Sequence, residues 1–292
     1  MANMSSKTNK YKFTFVGGSL FIILLFTVVP LLYSLVLSFQ VGRGSQLSYD
    51  GFANYERLFS DAIVIKALLN TVGFAILLTP IVLFISFFLA NCINNVKSEK
   101  LKSIYSVILF FPSITSPVAY AFFFKKMFTA DGFLNRFNHL FNPDAEFTNY
   151  LLTTDGARIA IVIVCIWAWS GYFTLLMLSG MQSINPQVYK IAKIDGLSPF
   201  KTTFKVTLPI VKPVVLLSSV ILTGGIFQLF AEVMIISQGG PEYATITLSY
   251  YIYRLCFEYV PQFGYAAAIA ILIFVISGTV GFIQLKLGEQ TE

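Results

Sequence analysis

Apolar residues in this chain come in long unbroken blocks, not at the helical or strand periodicities of a half-buried surface element. The blocks cover about 13–39, 67–93, 103–124, 159–181, 208–236 and 264–285. Each is as long as the roughly 20 residues a helix needs to cross a bilayer, or longer. The pattern predicts an all-α integral membrane protein of six transmembrane helices. Residues 1–12 are polar and basic and read as a tail. Residues 13–292 read as one membrane domain, because no connection, the longest being 125–158, could bury a soluble core of its own.

Breakers and amphipathic stretches refine the pattern. Pro30 predicts a kink in the first span, Pro80 lies in the second, and Pro112 and Pro117 lie in the third. The first block is too long for a signal peptide and lacks an Ala-x-Ala-like cleavage site, so an uncleaved first helix is expected. Phe52, Tyr55, Leu58 and Phe59 recur at helical spacing and predict a short helix lying on the membrane surface. Asp131–Asn135 marks a tight turn. The fourth span carries Trp167, Trp169, Gly171 and Tyr172 in its outer half. The fifth is expected to leave the bilayer at Gln238–Pro241, ahead of an aromatic outside loop, 242–263.

Composition agrees. The chain is 56% hydrophobic and 12% charged, where a soluble domain has about a quarter of its residues charged. The net charge of +6 raises the question of nucleic acid. Its placement answers it. With the N-terminus inside, the inside segments carry 12 Lys and Arg against 4 acids, and the outside segments 8 against 9. That bias follows the positive-inside rule and predicts both termini in the cytoplasm. No concentrated basic face for nucleic acid is present. The cysteines Cys92, Cys165 and Cys256 form neither a disulfide framework nor a metal spacing. The single His139 falls in an outside loop and receives no role.

One polar, basic stretch interrupts the apolar blocks, PQVYKIAKIDGLSPFKTTFKVTLPIVKP from Pro186 to Pro213. Asn185-Pro186 suits a helix start, with Asn as cap and Pro at the first position. Gly196 permits a turn that other residues resist. Ser198-Pro199 starts a second short helix, which Leu208-Pro209 is expected to end while fixing the entry angle of the fifth span. The layout is that of a rigid bracket between spans four and five, held at both ends by membrane helices.

This stretch resembles the hallmark loop of the membrane subunits of binding-protein-dependent ABC importers. That loop runs roughly Glu-Ala-Ala, three residues, Gly, about nine residues, Ile-x-Leu-Pro. Tyr189, Ala192, Asp195, Gly196, Phe200, Leu208 and Pro209 match it. The usual Glu is replaced by Lys190 and the first usual Ala by Ile191. GFANYERLFSD at 51–61, the Asp131–Asn135 region and the Gly-Gly-Pro loop from 239 resemble carbohydrate-type permeases, similar to maltose and glycerol-phosphate importer subunits.

The resemblance implies the type I importer permease fold and a part of the path for a sugar or oligosaccharide. It implies that Tyr189, Lys190, Ala192, Lys193, Asp195, Gly196, Leu197 and Phe200 dock an ATPase. The implied partners are a second, distinct permease chain, an ABC ATPase dimer, an external substrate-binding protein on loops 41–65, 125–158 and 238–263, and membrane lipid. The chain has no G-x-x-x-x-G-K-[ST] phosphate loop. ATP and magnesium are thus expected on the partner ATPase, with no cofactor and no enzyme activity on this chain.

A sugar path needs amides, hydroxyls and flat apolar faces. Candidates are Trp169, Gly171, Tyr172 and Thr174 in the fourth span and Gly224, Gly225, Gln228 and Glu232 in the fifth. Gln228 and Glu232 are spaced to share a helix face. Glu232 is the one acid inside any span. Placing its charge in lipid costs about 2.5–3.5 kcal/mol on insertion scales, so it needs a partner or a wet cavity. A cross-helix structural bond for Glu232, belt positions for the aromatics and packing for the glycines remain alternatives to path roles. Other functions also stay open: a permease for amino acids, peptides or oxyanions, or an ion-coupled secondary transporter. The second would show buried acids or broken helices in two repeats. A membrane enzyme would need clustered His, Asp or Glu, which the chain lacks.

Overall fold

A computed structural model describes residues 16–44, 46–144 and 146–289. The 1–12 tail lies outside them. Among the described residues five helices are long and apolar enough to cross a bilayer: α1 (Val16–Leu37), α3 (Ala62–Asn94), α7 (Thr154–Gln182), α9 (Pro199–Phe227) and α11 (Phe263–Gly288). A bent pair, α4 (Glu99–Ile114) and the segment Pro117–Phe141 made of α5 (Pro117–Phe128) and α6 (Phe133–Phe141), supplies a sixth crossing if counted as one. The chain divides into two units, 1–61 with 252–272, and 62–251 with 273–292.

In the first unit, none of α1 is buried. Every side of this helix is apolar, which suits a span surrounded by lipid. A hairpin follows, β1 (Gln40–Arg43) antiparallel to β2 (Gln46–Tyr49), with Gln40 opposite Tyr49. The sequence reading missed it. Helix α2 (Ala53–Ser60) confirms the helical spacing of the 52–59 segment. Buried Asn54 fastens α2 to the hairpin by donating to Ser38 O at 2.9 Å and Gln40 O at 2.8 Å. Arg57 stacks over the Tyr265 ring at 3.7 Å, and Tyr265 Oη donates to Asp61 at 2.8 Å.

In the second unit, α3 and α7 form the main helix pair, with α4 and α9 packed on it. Lipid tails are as apolar as leucine, so close approach and hydrogen bonds must hold such helices. The contacts show both. Ala67, Ala90, Ala157, Ala160 and Ala168 are buried. Ser86 Oγ donates to Ser170 O at 2.9 Å. A Cβ on Gly171 would collide with the backbone carbonyl of Leu109, so this glycine is what lets α4 lie against α7.

Three expectations about the spans need correction. The third is not one helix. Thr115 and Ser116 are extended, with ψ of 141° and 128°, and the helical axes on the two sides differ by 92°. Pro117 excludes the helical conformation for the residue before it and starts α5. The fifth span does not run to 236. It stops at Phe227, and Gln228 leaves the helical region (φ −99°, ψ 11°) before a π turn at Val233–Ser237. Gln228 and Glu232 therefore do not share a helix face. Finally, Leu208-Pro209 does not end the second bracket helix. Helix α9 continues from Pro199 through Pro209 because a π turn at Thr203–Thr207 moves the Leu208 N–H onto Thr203 O. That widened turn absorbs the missing proline donor and the ring's clash with the preceding turn.

The loop after the fifth span also differs from expectation. Its first half, Ala244–Tyr251, is almost wholly buried in the second unit and includes the start of α10 (Leu248–Tyr253). Thr247 Oγ1 donates to Leu229 O at 2.7 Å and Ser249 Oγ to Phe227 O at 3.1 Å. These hydroxyls satisfy carbonyls freed by the break. Asn70 donates to Tyr243 O and Ile246 O, and Arg158 Nε to Ala244 O, which hold the segment in place.

Asn54→Ala removes two hydrogen bonds, to the buried Ser38 O and the partly buried Gln40 O. It should destabilise the protein by about 1–3 kcal/mol. Thermal unfolding of the purified protein, with Asn54→Asp equally damaging because a carboxylate cannot donate, checks this.

Candidate functional site: the docking bracket and the helix breaks

The bracket forms as its sequence dictates. Helix α8 (Pro186–Ile194) is capped by Asn185, whose Oδ1 accepts from Gln187 N at 2.9 Å. It ends in a Schellman motif: Leu197 N donates to Ala192 O at 3.0 Å and Gly196 N to Lys193 O at 3.2 Å. Gly196 has φ +73°, the left-handed conformation this motif requires. Ser198 Oγ then accepts from Lys201 N at 3.4 Å and opens α9.

Ala192 is buried, so its small side chain sets the close approach of α8 to the helices behind it. Val188, Tyr189 and Leu208 pack on a cluster from the ends of α3, α7 and α9 that contains Phe87, Ile93, Met181 and Val211. Lys190, Lys193, Asp195 and Phe200 are exposed and Leu197 partly so. Sequence reasoning missed the outward face. Ile191 is 57% exposed and Ile194 84% exposed. Two isoleucines presented outward on a short polar helix are a ready contact for a protein partner. An apolar residue inside a polar loop was the available signal.

The path candidates divide into two groups. Trp169 is half-buried against the cluster of Tyr120, Phe124 and Ile236. Thr174 is buried and donates to Ser170 O in its own helix at 2.7 Å. Gly171 is used up in packing. Residues 167–172 sit at mid-length of α7. Tyr172 is exposed, and its backbone N–H reaches Ser113 Oγ at 3.2 Å, while the same hydroxyl donates to Ala168 O at 2.9 Å. Ser113 thus inserts into the α7 ladder, as side chains do where helices bend.

Glu232 is 4% exposed and accepts a hydrogen bond from Tyr120 of α5. This contact joins the two broken segments, the helix after Pro117 and the π turn after Gln228. A buried carboxylate without a donor is costly, so the pair fixes both breaks together.

Gly224, Gly225 and Gln228 are the open group. Nothing approaches within 4 Å of where a Cβ would stand on either glycine, and Gln228 is exposed. Beside them a cavity of about 250 Å³ is lined by Thr79, Thr223, Phe227 and Gln284, among others. Thr223 Oγ1 lies 3.2 Å from Thr79 Oγ1 and accepts from Gln284 Nε2 at 3.0 Å. The Gln284 Oε1 atom is buried with no partner among the described residues. Thr79 and Gln284 were not singled out because uncharged polar residues barely mark an apolar block. No metal-ligating cluster occurs among the described residues.

Residues 64–289 match the family described as binding-protein-dependent transport system inner membrane component, and the chain belongs to it. It is a membrane subunit of an ABC importer. Among its relatives is the lactose transport system permease protein LacF of Rhizobium radiobacter, 36% identical over 92% of this chain and 91% of that one. The multiple sugar-binding transport system permease protein MsmF of Streptococcus mutans is 29% identical over 97% of both. A crystallised bacterial ABC transporter chain involved in importing the acidic polysaccharide alginate superposes with a TM-score of 0.85, at 21% identity and 98% coverage of both chains. The fold is therefore that of a type I ABC importer permease, as the sequence implied.

Tyr120→Phe leaves Glu232 buried without its donor. It should lower stability by about 1–3 kcal/mol. Glu232→Gln, which keeps an acceptor, should cost less, and thermal melts of the two variants check the order. Gly171→Val should prevent α4 from packing on α7 and abolish a monodisperse chromatographic peak.

Proposed function

We propose that this chain forms part of the translocation path for a sugar or oligosaccharide and is driven by an ATPase that docks on α8. The observation that carries the docking is the Gly196 Schellman turn. It holds α8, with Ile191 and Ile194 outward, against the inner ends of three spans. The sugar reading rests on the curated relatives, which include a lactose and a multiple-sugar permease. The family description supports delivery by a binding protein.

Force applied to α8 passes through Gly196 into α9. That helix is continuous from Pro199 to Phe227, so motion at its docking end reaches the break at Gln228 as a lever would. The open Gly224, Gly225 and Gln228, with the Thr79 and Gln284 side chains lining the cavity near Thr223, would supply amides and hydroxyls for a sugar. In this reading a second permease chain completes the path. ATP and magnesium are bound and hydrolysed on an ATPase dimer, and this chain is not itself an enzyme. Both termini and the bracket lie in the cytoplasm, and the binding protein docks at the opposite ends. The buried half of the loop after Pro241 is not available to such a partner.

Ile194→Asp should leave membrane insertion intact and abolish co-purification of the ATPase. Gly196→Val strains a left-handed position by on the order of 1–2 kcal/mol and should reduce sugar-stimulated hydrolysis at normal expression. Wild-type assembly and uptake in both variants would refute the docking assignment.

A further inference from the structure

Behind the bracket lies a groove of about 980 Å³ between α8, the start of α9 and the end of α3. Its two ends differ in chemistry. At the outer rim stand Lys97 and Lys193 with the amides of Asn91, Asn94 and Asn95. One to two turns back along α3, Phe84 and Phe88 face it, and Phe204 stands across from α9. No acid lines the groove. Neither lysine makes a hydrogen bond or ion pair among the described residues. The nearby Glu99 is already paired with Lys102 at 2.8 Å. Phe84 and Phe88 are 66% and 57% exposed.

We infer that this groove binds one anionic phospholipid from the leaflet that meets this end of the helices. The phosphate and its acidic headgroup sit between Lys97 and Lys193, with the asparagine amides donating to its oxygens. The acyl chains lie along Phe84, Phe88 and Phe204. Two cations without an ion pair among the described residues, over aromatic walls, match a molecule that is anionic at one end and apolar at the other. Basic pockets between membrane helices recognise such headgroups. A free anion would leave the phenylalanines uncovered. The outward isoleucines proposed for the ATPase, Ile191 and Ile194, are absent from the groove, whereas Tyr189, Lys193, Leu197 and Phe200 of the expected docking set line it, so the lipid would take that side of the bracket. A lipid held there would brace α8 against α3 and stiffen the bracket.

Native mass spectrometry of the full-length chain in mild detergent tests this, with phosphatidylglycerol and phosphatidylcholine added in parallel. One phosphatidylglycerol should be retained in preference to phosphatidylcholine, and inorganic phosphate should not displace it. Lys97→Gln should lower occupancy about fivefold, the effect of one lysine at an anionic surface. Asn94→Leu should lower it with the rim charge intact, and Lys100→Gln, outside the groove, should not. Unfolding temperatures of the variants separate lost binding from lost fold. Equal retention of the two lipids, displacement by phosphate, or unchanged occupancy in folded Lys97→Gln and Asn94→Leu would overturn the site.

Discussion

A bilayer offers no water to a freed backbone group, so every break in a spanning helix must be satisfied from within. This constraint organises the second unit. The fifth span stops at Phe227, and the chain turns back to supply Thr247 and Ser249 to the carbonyls of Leu229 and Phe227. The returning segment is itself held by Asn70 and Arg158. Ser113, just before the other break, bonds into the α7 ladder. Tyr120 and Glu232 then tie the two broken segments together.

Broken spans cost stability that unbroken ones would keep, so they call for a functional reason. An unbroken fifth helix would pass force straight to the outer surface. Ending it at Phe227 stops the lever beside the open glycines and the Thr79–Thr223–Gln284 cluster. In the proposed reading, docking and path then share one helix, α9. The same view accounts for the π turn at Thr203–Thr207. It keeps α9 continuous through Pro209, where a simple proline stop would have uncoupled the bracket from the span.

Much of this was legible in the residues. Block lengths located the spans, and Asn185-Pro186, Gly196 and Ser198-Pro199 marked the bracket because capping and left-handed turns depend on local chemistry. What failed depended on the neighbourhood. Pro209 reads as a stop unless a π turn rescues it, and Pro117 reads as tolerated unless the chain bends there. The burial of residues 244–251 was not legible because the carbonyls that Thr247 and Ser249 cap lie at the break after Phe227. Gly171 read as a path residue because its neighbour, the Leu109 carbonyl, is 62 positions away. Asn54 was hidden likewise, since its value lies in two carbonyls, Ser38 and Gln40, where α1 passes into the hairpin.

The account rests on α8 meeting a nucleotide-driven partner through its outward isoleucines. A photocrosslinking amino acid placed at Ile194 in living cells probes that contact directly. The account predicts a crosslinked product containing a cytoplasmic ATPase, in a yield that changes when ATP is depleted. Crosslinks to an external protein or to lipid alone would contradict it.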